Sequence, residues 1–79
     1  MHFAYILKSL VDEKHYVGST TDIDERLERH NAGRVPSTCD RRPFELVVYF
    51  AFSSKEKAEQ FERYLKTGSG RAFLKRHIT

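Results

Sequence analysis

A chain of 79 residues supports one small domain with a modest core. Its 39% hydrophobic, 32% charged and 13% aromatic side chains fit a packed fold, and they exclude both a disordered tail and a large two-domain enzyme. The net charge of +3 predicts weak, salt-dependent attraction to a polyanion, and no stretch approaches the ~20 apolar residues of a membrane span.

The opening Met1-His2-Phe3-Ala4 has no basic region ahead of an apolar stretch, so no signal peptide is expected. Cys39 is the one cysteine, which forbids an internal disulfide, and it shares no zinc-site spacing with His2, His15, His30 or His77. Packing alone has to hold the chain together, and a reducing compartment such as the cytoplasm fits.

Residues 3–9 (Phe3-Ala4-Tyr5-Ile6-Leu7-Lys8-Ser9) have strand character, and residues 14–18 (Lys14-His15-Tyr16-Val17-Gly18) form a second short strand. The four residues between them suit a hairpin loop. With that loop, Leu7 faces Tyr16 and Tyr5 faces Gly18, so Tyr5 and Tyr16 share a sheet face as diagonal neighbours. Gly18 is expected to leave open space above the Tyr5 phenol. Asp22 and Glu25 then read as a capping box for a helix running to about Asn31 and stopped by Gly33. On it, Ile23 and Leu27 face the core, while Arg26 and His30, one turn apart, sit just beside that stripe.

Residues 34–43, with Pro36, Ser37, Thr38, Asp40 and Pro43, read as an irregular loop. Residues 44–52 are rich in β-branched and aromatic side chains, nearly all apolar, and make the strongest strand. Ser53 is predicted to start a second helix with Glu56 completing its capping box, and Ala58, Phe61 and Leu65 as its buried stripe. Glu62 falls on or at the margin of that stripe. Gly68 and Gly70 are expected to end this helix, and a basic helix from Arg71 to Ile78 closes the chain with Phe73, Leu74 and Ile78 inward. The order β-β-α-β-α-α predicts an α+β fold, a three-stranded antiparallel sheet flanked by helices, in a single domain over 1–79.

The charge is uneven along the chain. Residues 1–33 carry four basic and six acidic side chains, whereas residues 34–79 carry ten and five. No acid follows Glu62, but Arg63, Lys66, Arg71, Lys75 and Arg76 do, a basic end able to contact phosphates.

Tyr5, Tyr16, Arg26, His30 and Glu62 are therefore polar groups at positions where packing alone does not require them. Their setting carries a resemblance. Phe3-Ala4-Tyr5, Tyr16-Val17-Gly18 eleven residues on, then Ser19-Thr20, Asp22-Ile23, Arg26-Leu27 and His30-Asn31 resemble the signature of the GIY-YIG nuclease superfamily. Arg42-Pro43-Phe44-Glu45-Leu46-Val47, Glu56-x-Ala58-x-x-x-Glu62-x-x-Leu65-Lys66 and Gly68-Ser69-Gly70-Arg71 continue it over nearly the whole chain. The ending resembles the small single-domain branch related to the N-terminal domain of the excinuclease C subunit. The first triplet departs from the pattern in both its Gly and its Ile, and keeps the tyrosine.

The resemblance implies an endonuclease that hydrolyses phosphodiester bonds in structured or single-stranded DNA, with a role in DNA repair or recombination, and that uses one Mg2+ (or Mn2+). Carried over by position, Tyr5 would orient and help deprotonate the attacking water, and Tyr16 would support it at the phosphate. Arg26 would hold the scissile phosphate, His30 would assist one turn later, and Glu62 would be the sole protein ligand of the metal. Lys8 matches a lysine of the excinuclease type, although strand parity puts it on the opposite face. Arg26 and the cation are expected to lower the phenol pKa from about 10 by favouring phenolate. DNA contacts are expected at Lys8, Arg63, Lys66, Arg71 and Lys75, in a monomer or weak homodimer that an unidentified partner recruits. Two other readings use the same residues: a non-catalytic nucleic-acid-binding module, and an interaction protein that pairs through its sheet edge.

Overall fold

In the computed structural model, which describes residues 1–79, the two N-terminal apolar runs pair as an antiparallel hairpin of β1 (His2–Ser9) and β2 (His15–Thr20). The register places Tyr5 opposite Gly18 and Leu7 opposite Tyr16, and the Ser9 amide closes the four-residue loop by donating to the Lys14 carbonyl at 2.9 Å. The third strand, β3 (Phe44–Phe52), pairs antiparallel with the other side of β1, so the sheet order is β2-β1-β3.

Helices cover both faces of this sheet, which explains why β3 is almost wholly apolar. On one face, Tyr5, Leu7 and Phe44 form a buried cluster against Ile23 and Leu27 of α1 (Ile23–Asn31). On the other, Ile6 packs with Leu65 of α2 (Lys55–Leu65) and Leu74 of α3 (Gly68–His77). Fully burying one such aliphatic side chain is worth roughly 1.5–3 kcal/mol. A register shift at Ile6/Leu7 serves both layers: Leu46 pairs with Leu7 and Val48 with Ile6, leaving Val47 as the extra residue. Without that bulge Leu46 and Val48 would point the same way; with it they supply opposite cores.

The Asp22 side chain caps α1 by accepting from the Glu25 amide at 3.0 Å, and Gly33 follows the helix end at φ +76°. Residues 34–43 are irregular apart from a single 3₁₀ turn, Cys39–Arg41. Two predicted boundaries shift. Ser54, not Ser53, is the N-cap of α2, accepting from the Lys57 amide, so Glu56 stands one place short of a capping box. Gly68 and Gly70 do not end a helix but lie in the first turn of α3, which Thr67 caps by accepting from the Gly70 amide at 3.1 Å. Gly70 is required by contact rather than by flexibility: a Cβ there would come 2.0 Å from the Tyr64 carbonyl oxygen at the end of α2. No helix is long and apolar enough to cross a membrane.

Gly18 has a similar steric role beside the site. The space opposite Tyr5 is filled by the phenol itself, and a Cβ on Gly18 would lie 2.5 Å from its hydroxyl and 2.7 Å from Cζ. Gly18→Ala is expected to displace the ring and cost about 1–3 kcal/mol, a fall of roughly 4–8 °C in Tm per kcal/mol for a domain of this size. An unchanged thermal melt would show that the phenol has room to move.

Candidate active site

Alternation on β1 and β2 delivers the two phenols to the α1 face, and the helix delivers the partners. Tyr5 and Tyr16 lie with ring centroids 6.3 Å apart. Between them and Phe44 comes His30, from the last turn of α1, its ring edge-on to Tyr16 at 4.8 Å. His30 is the buried residue of α1, only 1% exposed, while Arg26 one turn earlier is half-buried. His30 therefore belongs to the inward face, while Arg26 stays at the margin of the apolar stripe.

The Tyr5 hydroxyl and His30 Nε2 are hydrogen-bonded at 3.1 Å, and both side chains are buried. His30 Nδ1 lies 2.8 Å from the Thr38 hydroxyl, which in turn donates to the Val35 carbonyl at 3.3 Å. Burial, reinforced by the charges of Arg26 and Arg29, lowers the His30 pKa below its ordinary 6.5, so the ring is neutral at neutral pH.

Tyr5 reverses one expectation. Arg26 does favour phenolate, but burial and then the neighbouring Tyr16 outweigh it, and the phenol is pushed up to about 12. At neutral pH it keeps its proton. The Nε of Arg26 is itself buried with no hydrogen-bond partner within the chain.

Glu62 reaches the same edge of the sheet from the other side. It lies on α2 beside Ser19, the neighbour of Gly18, and its negative charge is felt at Tyr5. Burial alone would raise its pKa. Lys66, bonded to it at 2.8 Å, together with Ser19 and the charge of Arg63, outweighs burial and holds the carboxyl below its ordinary value. No trio of His, Cys, Asp or Glu side chains gathers to hold a metal. One ionised, half-buried carboxylate does suit a hard cation such as Mg2+ or Mn2+, which keeps several waters and takes one or two protein carboxylates.

The basic residues divide. Lys66 and Arg71 line a groove of about 490 Å³ beside β2, together with Lys14, His15 and Tyr16, over a floor of Val17, Leu65 and Leu74. No acid lines it. Arg63 and Lys75 lie outside it, and Lys8 occupies a separate hollow with Glu13 and Glu45, 4.0 Å from the Glu13 carboxylate. Lys8 is thus on the face away from Tyr5, as strand parity requires.

Two further polar residues support the site, and the sequence assigns neither of them a role there. Thr38 is 1% exposed and bonds the His30 ring, yet in sequence it is one small polar residue among several in a loop. Asn31 grips both backbone groups of Phe44: its side-chain amide donates to the Phe44 carbonyl at 3.1 Å, and its oxygen accepts from the Phe44 amide at 2.7 Å. That clamp fixes the end of α1, and hence His30, against β3.

The family model of the GIY-YIG catalytic domain matches residues 1–76. The chain is similar to the UPF0213 protein BH0048 of Halalkalibacterium halodurans, 42% identical over 66 residues that cover 82% of this chain and 69% of that protein. It is also similar to the UPF0213 protein SH2523 of Staphylococcus haemolyticus, 41% identical over 75 residues that cover 94% and 90% of the two chains. Among solved structures it resembles the solution NMR structure of the UPF0213 protein BH0048 from Bacillus halodurans, with 37% identity and a TM-score of 0.57 over 95% of this chain and 82% of that one.

Proposed function

The chain belongs to the GIY-YIG family, and on that premise we propose that it is a single-domain, divalent-metal-dependent endonuclease that hydrolyses phosphodiester bonds in DNA. The observation that carries this reading is the unpartnered, buried Nε of Arg26 beside a buried phenol–imidazole pair. A buried guanidinium N–H without an acceptor is costly, and a phosphate oxygen in that place satisfies it. As hydrolysis proceeds, charge grows on the phosphoryl oxygens, and a donor already fixed at that point stabilises the transition state without reorganising.

Tyr5 takes the proton of the attacking water. Because its own pKa is about 12, it does not act as a standing phenolate. Its proton passes to Nε2 of neutral His30 while its oxygen accepts a proton from the water. The water oxygen bonds to phosphorus, and the bond to the leaving oxygen breaks with the electron pair staying on that oxygen. Tyr16 packs against His30 and reaches the basic groove, where it meets the substrate backbone. Glu62 would hold the Mg2+ or Mn2+ ion, which when bound supplies positive charge for the leaving oxygen. The groove with Lys14, Lys66 and Arg71 accepts the negatively charged strand, weakly and with strong salt dependence. The same reading puts the domain in the cytoplasm, where Cys39 stays a free thiol.

The test is incubation of the protein with branched, nicked and single-stranded DNA, with and without magnesium. Metal-dependent cleavage of at least one substrate is expected. Arg26→Lys, which keeps the charge but loses the planar fork, is expected to lower the rate by roughly 100- to 1,000-fold. DNA binding without cleavage under any condition would replace this reading with that of a binding module.

A further inference from the structure

His30 can accept the Tyr5 proton only if Nε2 carries a lone pair, and two independent features of the structure decide this. The first lies at Nδ1. The Thr38 hydroxyl, 2.8 Å away, has one hydrogen and a carbonyl acceptor, that of Val35, at 3.3 Å; donating there, it meets the ring as an acceptor for an Nδ1 proton. The second lies at Nε2. The Tyr5 residue is buried, and His30 Nε2 is the hydrogen-bond partner of its hydroxyl; Arg26, which also bonds it, has donors and no acceptor. Were Nε2 protonated, the phenolic hydrogen would lose the acceptor the structure gives it.

We propose that Thr38 is a positioning residue: it fixes His30 as the Nδ1–H tautomer and so leaves Nε2 to receive the Tyr5 proton. This rests on the nuclease reading above for its purpose, though not for the tautomer itself. Thr38 suits the task because it is buried and has a backbone carbonyl within reach of its own hydrogen. Its amide also donates to the Val35 carbonyl, at 3.0 Å, so the turn holds the Thr38 side chain in place beside the ring. In the step it serves, the Tyr5 O–H bond breaks, the Nε2–H bond forms, and the ring becomes imidazolium with its other N–H still held by Thr38. No oxidant or further reactant is involved.

The experiment reads the tautomer directly. Nitrogen-15 NMR of the His30 ring is recorded for the full chain at neutral pH, together with cleavage rates and thermal melts, for the native protein, Thr38→Val and Thr38→Ser. The native protein and Thr38→Ser are expected to show the Nδ1–H form and similar rates. Thr38→Val keeps the shape but offers no acceptor; a mixed or Nε2–H ring is expected, with a loss of rate on the order of 100-fold. An Nε2–H ring in the native protein overturns the proposal, whatever the valine variant does. So does a valine variant that retains both the tautomer and the rate. If Thr38→Val fails to fold, the native spectrum and the serine variant still decide. Should the native protein cleave no DNA, the nuclease reading falls, and the ring spectrum still tests the role of Thr38.

Discussion

Replacing Tyr5 by phenylalanine is expected to slow cleavage by roughly 10²- to 10⁴-fold, the range for removing a general acid–base group from a reacting centre. The substitution also has a structural effect, because the hydroxyl removed is the partner of a buried imidazole. Leaving His30 Nε2 without its donor costs about 1–3 kcal/mol, so Tm should fall by roughly 4–8 °C for each kcal/mol. Rates therefore have to be compared well below the melting range of the variant. A pH signature separates the two effects. The phenol ionises near 10 in the unfolded chain and near 12 in the folded one. Between those values the unfolded chain binds fewer protons, so native stability declines as pH rises from 10 towards 12. Tyr5→Phe removes that contribution, and its denaturant midpoint should vary less over this range. A variant that cleaves like the native protein would remove Tyr5 from the mechanism.

Glu62→Gln is expected to abolish metal-dependent cleavage, a loss of about 10³-fold or more, equivalent to ~4 kcal/mol of transition-state stabilisation. Stability should hardly move. The bond to Lys66 is a half-exposed pair one helical turn apart, worth about 0.5 kcal/mol. DNA affinity should stay close to native, because the groove residues are untouched and Lys66 is released from its carboxylate. Treating the native protein with a chelator should produce the same loss, and the chelator should add nothing to the variant. If the variant retains metal-dependent turnover, the ion sits elsewhere and Glu62 is simply the partner of Lys66.

The hairpin, its register and the strong third strand were legible because each rests on local rules. Alternation with a period of two puts Tyr5 and Tyr16 on one face as soon as the loop length is known, and Asp22 three residues before Glu25 signals a cap. The start of α3 was not legible. Two glycines close together read as a break, yet here Gly70 is needed because α3 passes too close to the Tyr64 carbonyl for any side chain. The Val47 bulge was equally hidden, since an apolar run reads the same whether it feeds one core or two.

The site divides along the same line. The kinds of group and their order along the chain are properties of the sequence: two phenols on paired strands, a guanidinium and an imidazole one turn apart, a carboxylate on the second helix. Whether the phenol is a ready base was not, because ionisation depends on solvent, and the sign of the Tyr5 shift followed from burial that only packing creates. The direction in which His30 faces, the anchoring of its ring by Thr38 eight residues away, and the burial of the Arg26 Nε are likewise set by the docking of α1 and of residues 34–43 on the sheet. Sequence spacing fixes which side chains share a face, while the distance between faces, and the water left between them, exists only once the layers have closed.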